Sequence, residues 1–279
     1  MFKIIIKEEL AKDVTRITVA APQIAQKAKA GQFVVVIVDA AGERIPLTLA
    51  DWDKEAGTIT LIFQKVGYTT KKLGALNPAD NIQHILGPLG HPTHTENIDS
   101  VVCVGGGVGI AEIYPVSRAF KTAGSRVIGV IGARSKDLLI LEDKMRQVCA
   151  ELFVTTDDGS YSRKGFVTDV LKELFGVIEK STHIKYPDLV YAIGPVPMMK
   201  AVAKLTKEYG IKTIVSLNPI MVDATGMCGA CRCTVAGKTV FGCVDGPDFN
   251  AHQVDFDELE KRLRLFNAQE ESINEKFTA

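Results

Sequence analysis

SVVCVGGGVGIAEIYP, residues 100–115, decides what kind of chain this is. An apolar, β-branched run from Ser100 to Val104 enters a run of glycines. A stretch with helical character, Ile110 to Pro115, follows directly. A strand that turns through glycines into a helix is the βα unit of a parallel sheet. Backbone N–H groups at such a turn, with the helix N-terminus behind them, suit a phosphate or pyrophosphate. Gly105, Gly107, Val108 and Gly109 are the expected contact residues. The dinucleotide fingerprint G-x-G-x-x-G fails, because its last place holds Ile110. No acid closes the next strand either, where Arg134 and Ser135 stand. The turn predicts a nucleotide-binding α/β domain of a different kind. The plainer alternative is a tight strand–helix connection built from the same glycines.

Downstream the rhythm repeats. "RVIGVIGA", "AELFVTT", "DLVYAIG" and "IKTIVSL" alternate with helical stretches, so five parallel strands are expected. Two further strand ends, Asp157 in "TTDDGS" and Gly194-Pro195 in "AIGPVPMM", belong where open α/β sheets bind ligands. Upstream the texture is different. "FKIIIKEE", "VTRITVAA", "QFVVVIVDA", "GTITLIFQKV" and "DNIQHIL" are short β signals broken by turns, and only "TTKKLGAL" reads as helix. That is the pattern of a small antiparallel barrel. The expected organisation is a barrel over 1–97, an α/β domain over 98–218, a cysteine segment over 219–250 and a helical tail over 251–279. In the tail, Phe256, Leu259, Leu263 and Phe266 recur at helical spacing. They predict a helix packed on its own protein or docked on a partner.

The formal net charge is zero, which removes any electrostatic argument for nucleic acid or an anionic membrane. The N-terminus reaches acids too soon for a signal peptide, and no apolar run approaches the ~20 residues that span a bilayer. A cytoplasmic protein is expected, where clustered cysteines are more often metal ligands or redox groups than disulfides.

"MVDATGMCGACRCTVAGKTVFGC", residues 221–243, holds Cys228, Cys231, Cys233 and Cys243 of the chain's six cysteines. Cys228-Gly-Ala-Cys231 is a single two-residue knuckle. A structural zinc site with four cysteines usually has two knuckles, and a thioredoxin-like motif opens a helix rather than running into a strand. Plant-type [2Fe–2S] sites read C-x4-C-x2-C with a distant fourth cysteine. Counting back from Cys228 by that rule lands on Asp223. A carboxylate oxygen can ligate iron, though it is harder than thiolate. Asp223, Cys228, Cys231 and Cys243 are therefore the expected cluster ligands. The competing set has Cys233 as fourth ligand and Asp223 as a solvated loop residue. Cys103 and Cys149 read as core thiols.

A β-barrel followed by an α/β domain with "GGGVGIA" and "GP-x-PMM" resembles the ferredoxin–NADP reductase superfamily. The resemblance implies a flavin on the barrel. Arg44, Pro46, Leu47 and Thr48 match the strand that holds it, the guanidinium pairing with the pyrophosphate. Gly67, Thr69 and Thr70 match the turn that seats the pyrophosphate on a helix N-terminus. Without the family, Arg44 reads as a solvated strand arginine and the threonines as a plain N-cap. With its cluster segment, the chain resembles electron-transfer subunits of dihydroorotate dehydrogenase B. With Asp223, "GERIPLTLAD" and "GARSKDLLILEDKM", it is more similar to the small subunits of electron-bifurcating NADH-dependent ferredoxin–NADP oxidoreductases, also labelled sulfide dehydrogenases.

That likeness implies FAD and a [2Fe–2S] cluster here, and NAD(H) as the nucleotide. It also implies a larger partner with a second FAD, [4Fe–4S] clusters, and NADP(H) and ferredoxin sites. Arg134 leaves NADPH open, since an arginine near the ribose can accept a 2′-phosphate. The expected chemistry is cofactor-based hydride exchange without a catalytic acid or base. Gly107, Gly194 and Pro195 would shape the nicotinamide slot. The rival readings are a dihydroorotate dehydrogenase B-type electron-transfer subunit, a zinc-stabilised nucleotide-binding protein without turnover, and a stand-alone sulfide or polysulfide reductase.

Overall fold

The computed structural model describes residues 1–181 and 185–278. Residues 182–184 of the expected nucleotide domain and residue 279 of the expected tail lie outside the described residues. The chain divides into two compact units. One comprises Met1–Pro92, Asn218–Pro247 and Asp255–Ala279, and the other Thr93–Leu217 and Asp248–Val254. The cysteine segment and the tail thus belong with the N-terminal strands, apart from one short return into the second unit.

The first unit begins with β1 (Phe2–Ala11), β2 (Val14–Ala20), α1 (Pro22–Lys27), β3 (Phe33–Ile37), β4 (Arg44–Asp53), β5 (Thr58–Gln64), α2 (Tyr68–Ala75), β6 (Asn81–Ile82) and β7 (His84–Leu89). The strands pair antiparallel in the order β6-β1-β2-β5-β4-β3-β7. The two outermost strands, β6 and β7, are separated in sequence only by Gln83, so the chain itself joins the sheet's ends into a barrel. Alternation decides which side chains enter it: Ile17 and Val19 of β2, Ile59, Leu61 and Phe63 of β5 and Val34 and Val36 of β3 share one core. Helix α1 was not expected. It is six residues long, opened by Pro22, and too short to show a helical period.

β3 is buried on both faces. Val34 and Val36 fill the barrel, while Phe33 and Val35 join a second, smaller core with Met221, Ala224, Cys231 and Cys243. The unbroken apolar run FVVVI therefore marks the strand on which the cysteine segment rests.

The second unit contains β8 (Ser100–Gly106), α3 (Gly109–Thr122), β9 (Arg126–Ala133), α4 (Glu142–Val148), β10 (Glu151–Thr156), β11 (Arg163–Lys164), α5 (Val167–Glu179), β12 (Leu189–Ile193), α6 (Val196–Glu208) and β13 (Thr213–Ser216). Beyond it come β14 (Arg232–Val235) and β15 (Lys238–Phe241), a hairpin of the first unit, and β16 (Asp248–Asn250). The tail forms α7 (Phe256–Leu263) and α8 (Asn267–Thr278). The second sheet runs β11-β10-β9-β8-β12-β13-β16, parallel except for β16, which pairs antiparallel with β13. The five expected strands are its centre; β11 and β16 are additions at the edges. No described helix is long and apolar enough to cross a membrane.

β16 carries a buried polar network into this unit. The Tyr191 hydroxyl donates to Asp248 Oδ1 at 2.6 Å, and the Thr93 hydroxyl donates to Asp248 Oδ2 at 2.7 Å. Burial pushes the Asp248 carboxyl up to about 6, against the opposing pull of hydrogen bonds from Tyr191, Thr93 and Ser216. A carboxyl raised in the folded state binds its proton more tightly there than in the unfolded chain. Its contribution to stability is complete below about pH 4 and is lost as pH rises through about 6. Two pKa units correspond to about 3 kcal/mol. Asp248→Asn is expected to remove this slope from the pH dependence of urea unfolding between pH 4 and 6.

Candidate functional site

In β4 the pairing changes along the strand. Arg44–Thr48 pair with β3, whereas Leu49–Asp53 pair with β5, with an irregularity between Leu49 and Asp51. The strand's first half therefore lies beside β3 alone among the described pairings. Pro46, which has no N–H to offer a ladder, is tolerable there for that reason. Ile45 and Leu47 pack towards the barrel core, so alternation turns Arg44, Pro46 and Thr48 to the opposite face. Leu47 is thus placed to support this face from beneath rather than to line it. Arg44 is exposed, and its Nη1 lies 3.4 Å from the backbone oxygen of Asp223. The flavin-type strand and the cysteine segment meet at this guanidinium.

At α2 the Gly67 N–H donates to Thr70 Oγ1 at 3.0 Å, which makes Thr70 the capping side chain. The Thr69 hydroxyl donates to Glu43 Oε2 at 2.6 Å. Thr69 is buried, so the N-terminus of α2 presents backbone rather than this hydroxyl. Glu43 carried no signal in the sequence, because its partner lies on a different element.

The cysteine segment is one loop followed by the β14–β15 hairpin. Cys231 Sγ and Cys243 Sγ are 3.1 Å apart, and both residues are 2% exposed. Cys228 is exposed, and its sulfur receives the Ala230 N–H at 3.5 Å. Asp223 sits beside it. Its Oδ2 accepts the Cys228 N–H at 2.9 Å, and its Oδ1 accepts the N–H and hydroxyl of Thr225. The Thr225 hydroxyl, and then Cys228, hold this carboxyl well below the usual range, so it is an anion with lone pairs to spare. Cys233 is buried next to the same loop. It is 1% exposed, its Sγ reaches the Cys231 carbonyl at 3.6 Å, and the charges of Glu258 and Arg262 on α7 act on it.

Among the described residues, no three His, Cys, Asp or Glu side chains converge on a single point as one metal ion would require. A two-iron cluster instead takes its ligands in pairs. Cys231 with Cys243, and Asp223 with Cys228, are two such pairs of soft and anionic donors, and they fit that group better than zinc. Two arginines also attend this loop unannounced by any motif. Arg232 Nη1 donates to the Gly229 carbonyl at 3.1 Å, and Arg262 Nη2 to the Ala230 carbonyl at 3.0 Å.

In the second unit the parallel register brings the expected nucleotide residues to one edge. Gly106 is level with Gly132, Thr156 with Ala133, and Gly105 with Ile193. Gly107, Arg134, Asp157 and Gly194 each come directly after these strand ends. The glycines differ in purpose. A side chain at Gly105 would lie 2.8 Å from Ile113, and one at Gly109 would lie 2.6 Å from the Ile193 carbonyl, so both are close-packed. Gly107 has φ +56 and nothing within 4 Å of a would-be Cβ; it is the open place. Val108, the next residue, is half-buried at the N-terminus of α3. Gly194 has φ +152, which lets the chain pass the Gly106 carbonyl, 3.0 Å from where a Cβ would stand. Pro195 is exposed at the start of α6. Arg134 and Asp157 are both exposed, and Asp158 N–H donates to the Arg134 carbonyl at 3.1 Å.

Residues 218–255 match the family described as the iron–sulfur cluster binding domain of dihydroorotate dehydrogenase B. The chain is 47% identical over 277 residues to an uncharacterised protein in the adh 3′ region of Clostridium beijerinckii, covering 97% of this chain and 92% of that one. It is 44% identical over 275 residues to a dihydroorotate dehydrogenase B (NAD(+)) electron transfer subunit homolog of Thermotoga maritima, covering 99% and 95%. A solved structure of NADH-dependent reduced ferredoxin-NADP oxidoreductase, studied for flavin-based electron bifurcation, superposes with TM-score 0.92 at 44% identity, covering 100% of this chain and 98% of the other. Phthalate dioxygenase reductase, at 18% identity and TM-score 0.60, shares the fold.

Proposed function

We propose an activity for this chain from one premise: it belongs to the family of dihydroorotate dehydrogenase B-type electron-transfer subunits, within the ferredoxin–NADP reductase superfamily. It is a flavin and iron–sulfur oxidoreductase subunit that uses FAD, a [2Fe–2S] cluster and NAD(H). When bound, FAD would supply two-electron hydride chemistry towards the nicotinamide, and the cluster would supply one-electron chemistry. The chain's own residues bind and orient these groups. Arg44 and the N-terminus of α2 would hold the flavin pyrophosphate, and the face bearing Pro46 and Thr48 would receive the flavin ring. Gly107 leaves room for the nucleotide phosphates above the start of α3, and Gly194 lets backbone approach a flat ring. Asp223, Cys228, Cys231 and Cys243 hold the cluster. The observation that carries this reading is the pairing of Cys231 with Cys243 on a loop touched by Arg44.

NAD(H) is favoured over NADP(H) because Asp157 and Asp158 share the nucleotide edge with Arg134. A 2′-phosphate is better served by a one-sided cationic site. The acceptor is a larger subunit carrying a second FAD and [4Fe–4S] clusters and serving NADP(H) and ferredoxin. Met227, 89% exposed, and Val222, 54% exposed, flank the Asp223–Cys228 loop as an apolar rim for such a partner. We place the complex in the cytoplasm. An anaerobic absorption titration tests the nucleotide assignment: NADH should bleach the flavin and cluster bands at lower concentration than NADPH. The reverse order would overturn it and implicate Arg134.

Asp223 separates this reading from a dihydroorotate-linked one, whose cluster has cysteine at that position. Asp223→Cys should keep the cluster. A thiolate donates more charge to iron than a carboxylate, so the midpoint potential should fall by about 60 mV, a tenfold shift for one electron. An unchanged potential and EPR spectrum would return Asp223 to the loop cap.

A further inference from the structure

We propose that Arg262, on α7, is a positioning residue for the cluster: it orients the Cys228–Cys231 knuckle through the Ala230 carbonyl and favours the reduced, more negative cluster. This rests on the ligand set proposed above.

Two successive carbonyls of the knuckle, Gly229 and Ala230, are each taken by a guanidinium, from Arg232 and Arg262. In each trans peptide the N–H points opposite to the carbonyl. The Ala230 N–H, in the peptide whose Gly229 carbonyl is held by Arg232, points at Cys228 Sγ, 3.5 Å away; the Ala230 carbonyl held by Arg262 shares its peptide with the N–H of Cys231. Arg232 is local to the hairpin, whereas Arg262 arrives from 32 residues away on a helix of its own.

That helix is fastened at both ends. The Asp255 N–H donates to the Thr234 carbonyl of β14 at 2.9 Å, and the Asp255 carboxylate caps α7 through the Glu258 N–H at 2.9 Å. Phe256 and Leu259 bury its apolar face, and Arg262 closes the far end on the knuckle. The tail helix thus serves the cluster loop of its own chain.

The charge balance gives this contact a consequence. Two ferric ions, two sulfides, three thiolates and one carboxylate sum to minus two, and one added electron makes minus three. A fixed cation nearby favours the added electron. Arg262 is half-buried and brings a positive charge. Through an effective dielectric of about 20, one nearby charge shifts such an equilibrium roughly tenfold. Glu258, one turn earlier on α7, acts with the opposite sign. Its Oε2 is buried, with no hydrogen-bond partner among the described residues.

The test is an EPR-monitored redox titration of the full-length protein, loaded with FAD and cluster. Arg262→Gln should shift the one-electron equilibrium about tenfold toward the oxidised cluster, which is about 59 mV downward. Arg262→Lys should restore most of the wild-type value, and Glu258→Gln should move it upward. The NADH concentration that half-bleaches the flavin should stay unchanged. A loaded Arg262→Gln cluster that titrates at the wild-type potential would overturn the proposal. Should Arg262→Gln hold no cluster, Glu258→Gln decides: an upward shift supports the proposal and an unchanged potential overturns it. A wild-type chain with no reducible cluster would instead remove the ligand set itself.

Discussion

Cys231→Ser yields a protein that still takes hydride from NADH but no longer delivers electrons singly. Cys231 is buried against Phe33 and Val35 of β3, beside Cys243 at 3.1 Å. A serine there offers a harder oxygen, so in the proposed ligand set the iron held by Cys231 and Cys243 would lose half of its protein ligands. Outer-shell changes alone cost 10–100-fold in metal affinity, and loss of a ligand should exceed about 100-fold. The iron–sulfur EPR signal should vanish, while flavin content and flavin bleaching by NADH persist. Cys233→Ser is the paired control and should keep the signal, because the proposed ligand set leaves Cys233 out. If Cys233→Ser abolishes the cluster and Asp223→Ala does not, the alternative ligand set is correct.

Arg44→Ala should release the flavin. A pyrophosphate oxygen held by a guanidinium forms a charge-assisted hydrogen bond worth about 1.5–3 kcal/mol, so FAD should bind roughly 10–150-fold more weakly. Fluorescence titration of flavin-stripped protein measures this directly. Because the same guanidinium reaches the Asp223 carbonyl, the substitution should also speed cluster loss in air. Thr48→Ala keeps that guanidinium and should change FAD affinity by less than about tenfold. Equal effects from the two variants would mean that Arg44 is a solvated strand arginine after all.

The two halves of the fold were legible because their signals are local. Alternation over seven residues makes β2 and β5, and an apolar strand meeting glycines makes the turn from β8 into α3. The cysteine spacing that marks an iron–sulfur segment is local too, since it lies within one loop and hairpin. α1 escaped notice because six residues hold less than two helical turns. The individual duties of Gly105 and Gly109 were also out of reach, because what a Cβ would strike lies on α3 or at the end of β12.

By itself the sequence determined the classes of domain and the cofactor chemistry, which depend on neighbours within a loop or a strand. Tertiary structure decided the rest. It committed Thr69 to Glu43 and buried Asp248 against Tyr191. It also carried Arg44 to Asp223 across 179 residues and Arg262 to Ala230 across 32. Contacts at such separations leave no period or spacing in a single sequence. They exist only once burial of β3 on both faces, and of Phe256 and Leu259 on α7, has brought distant segments together.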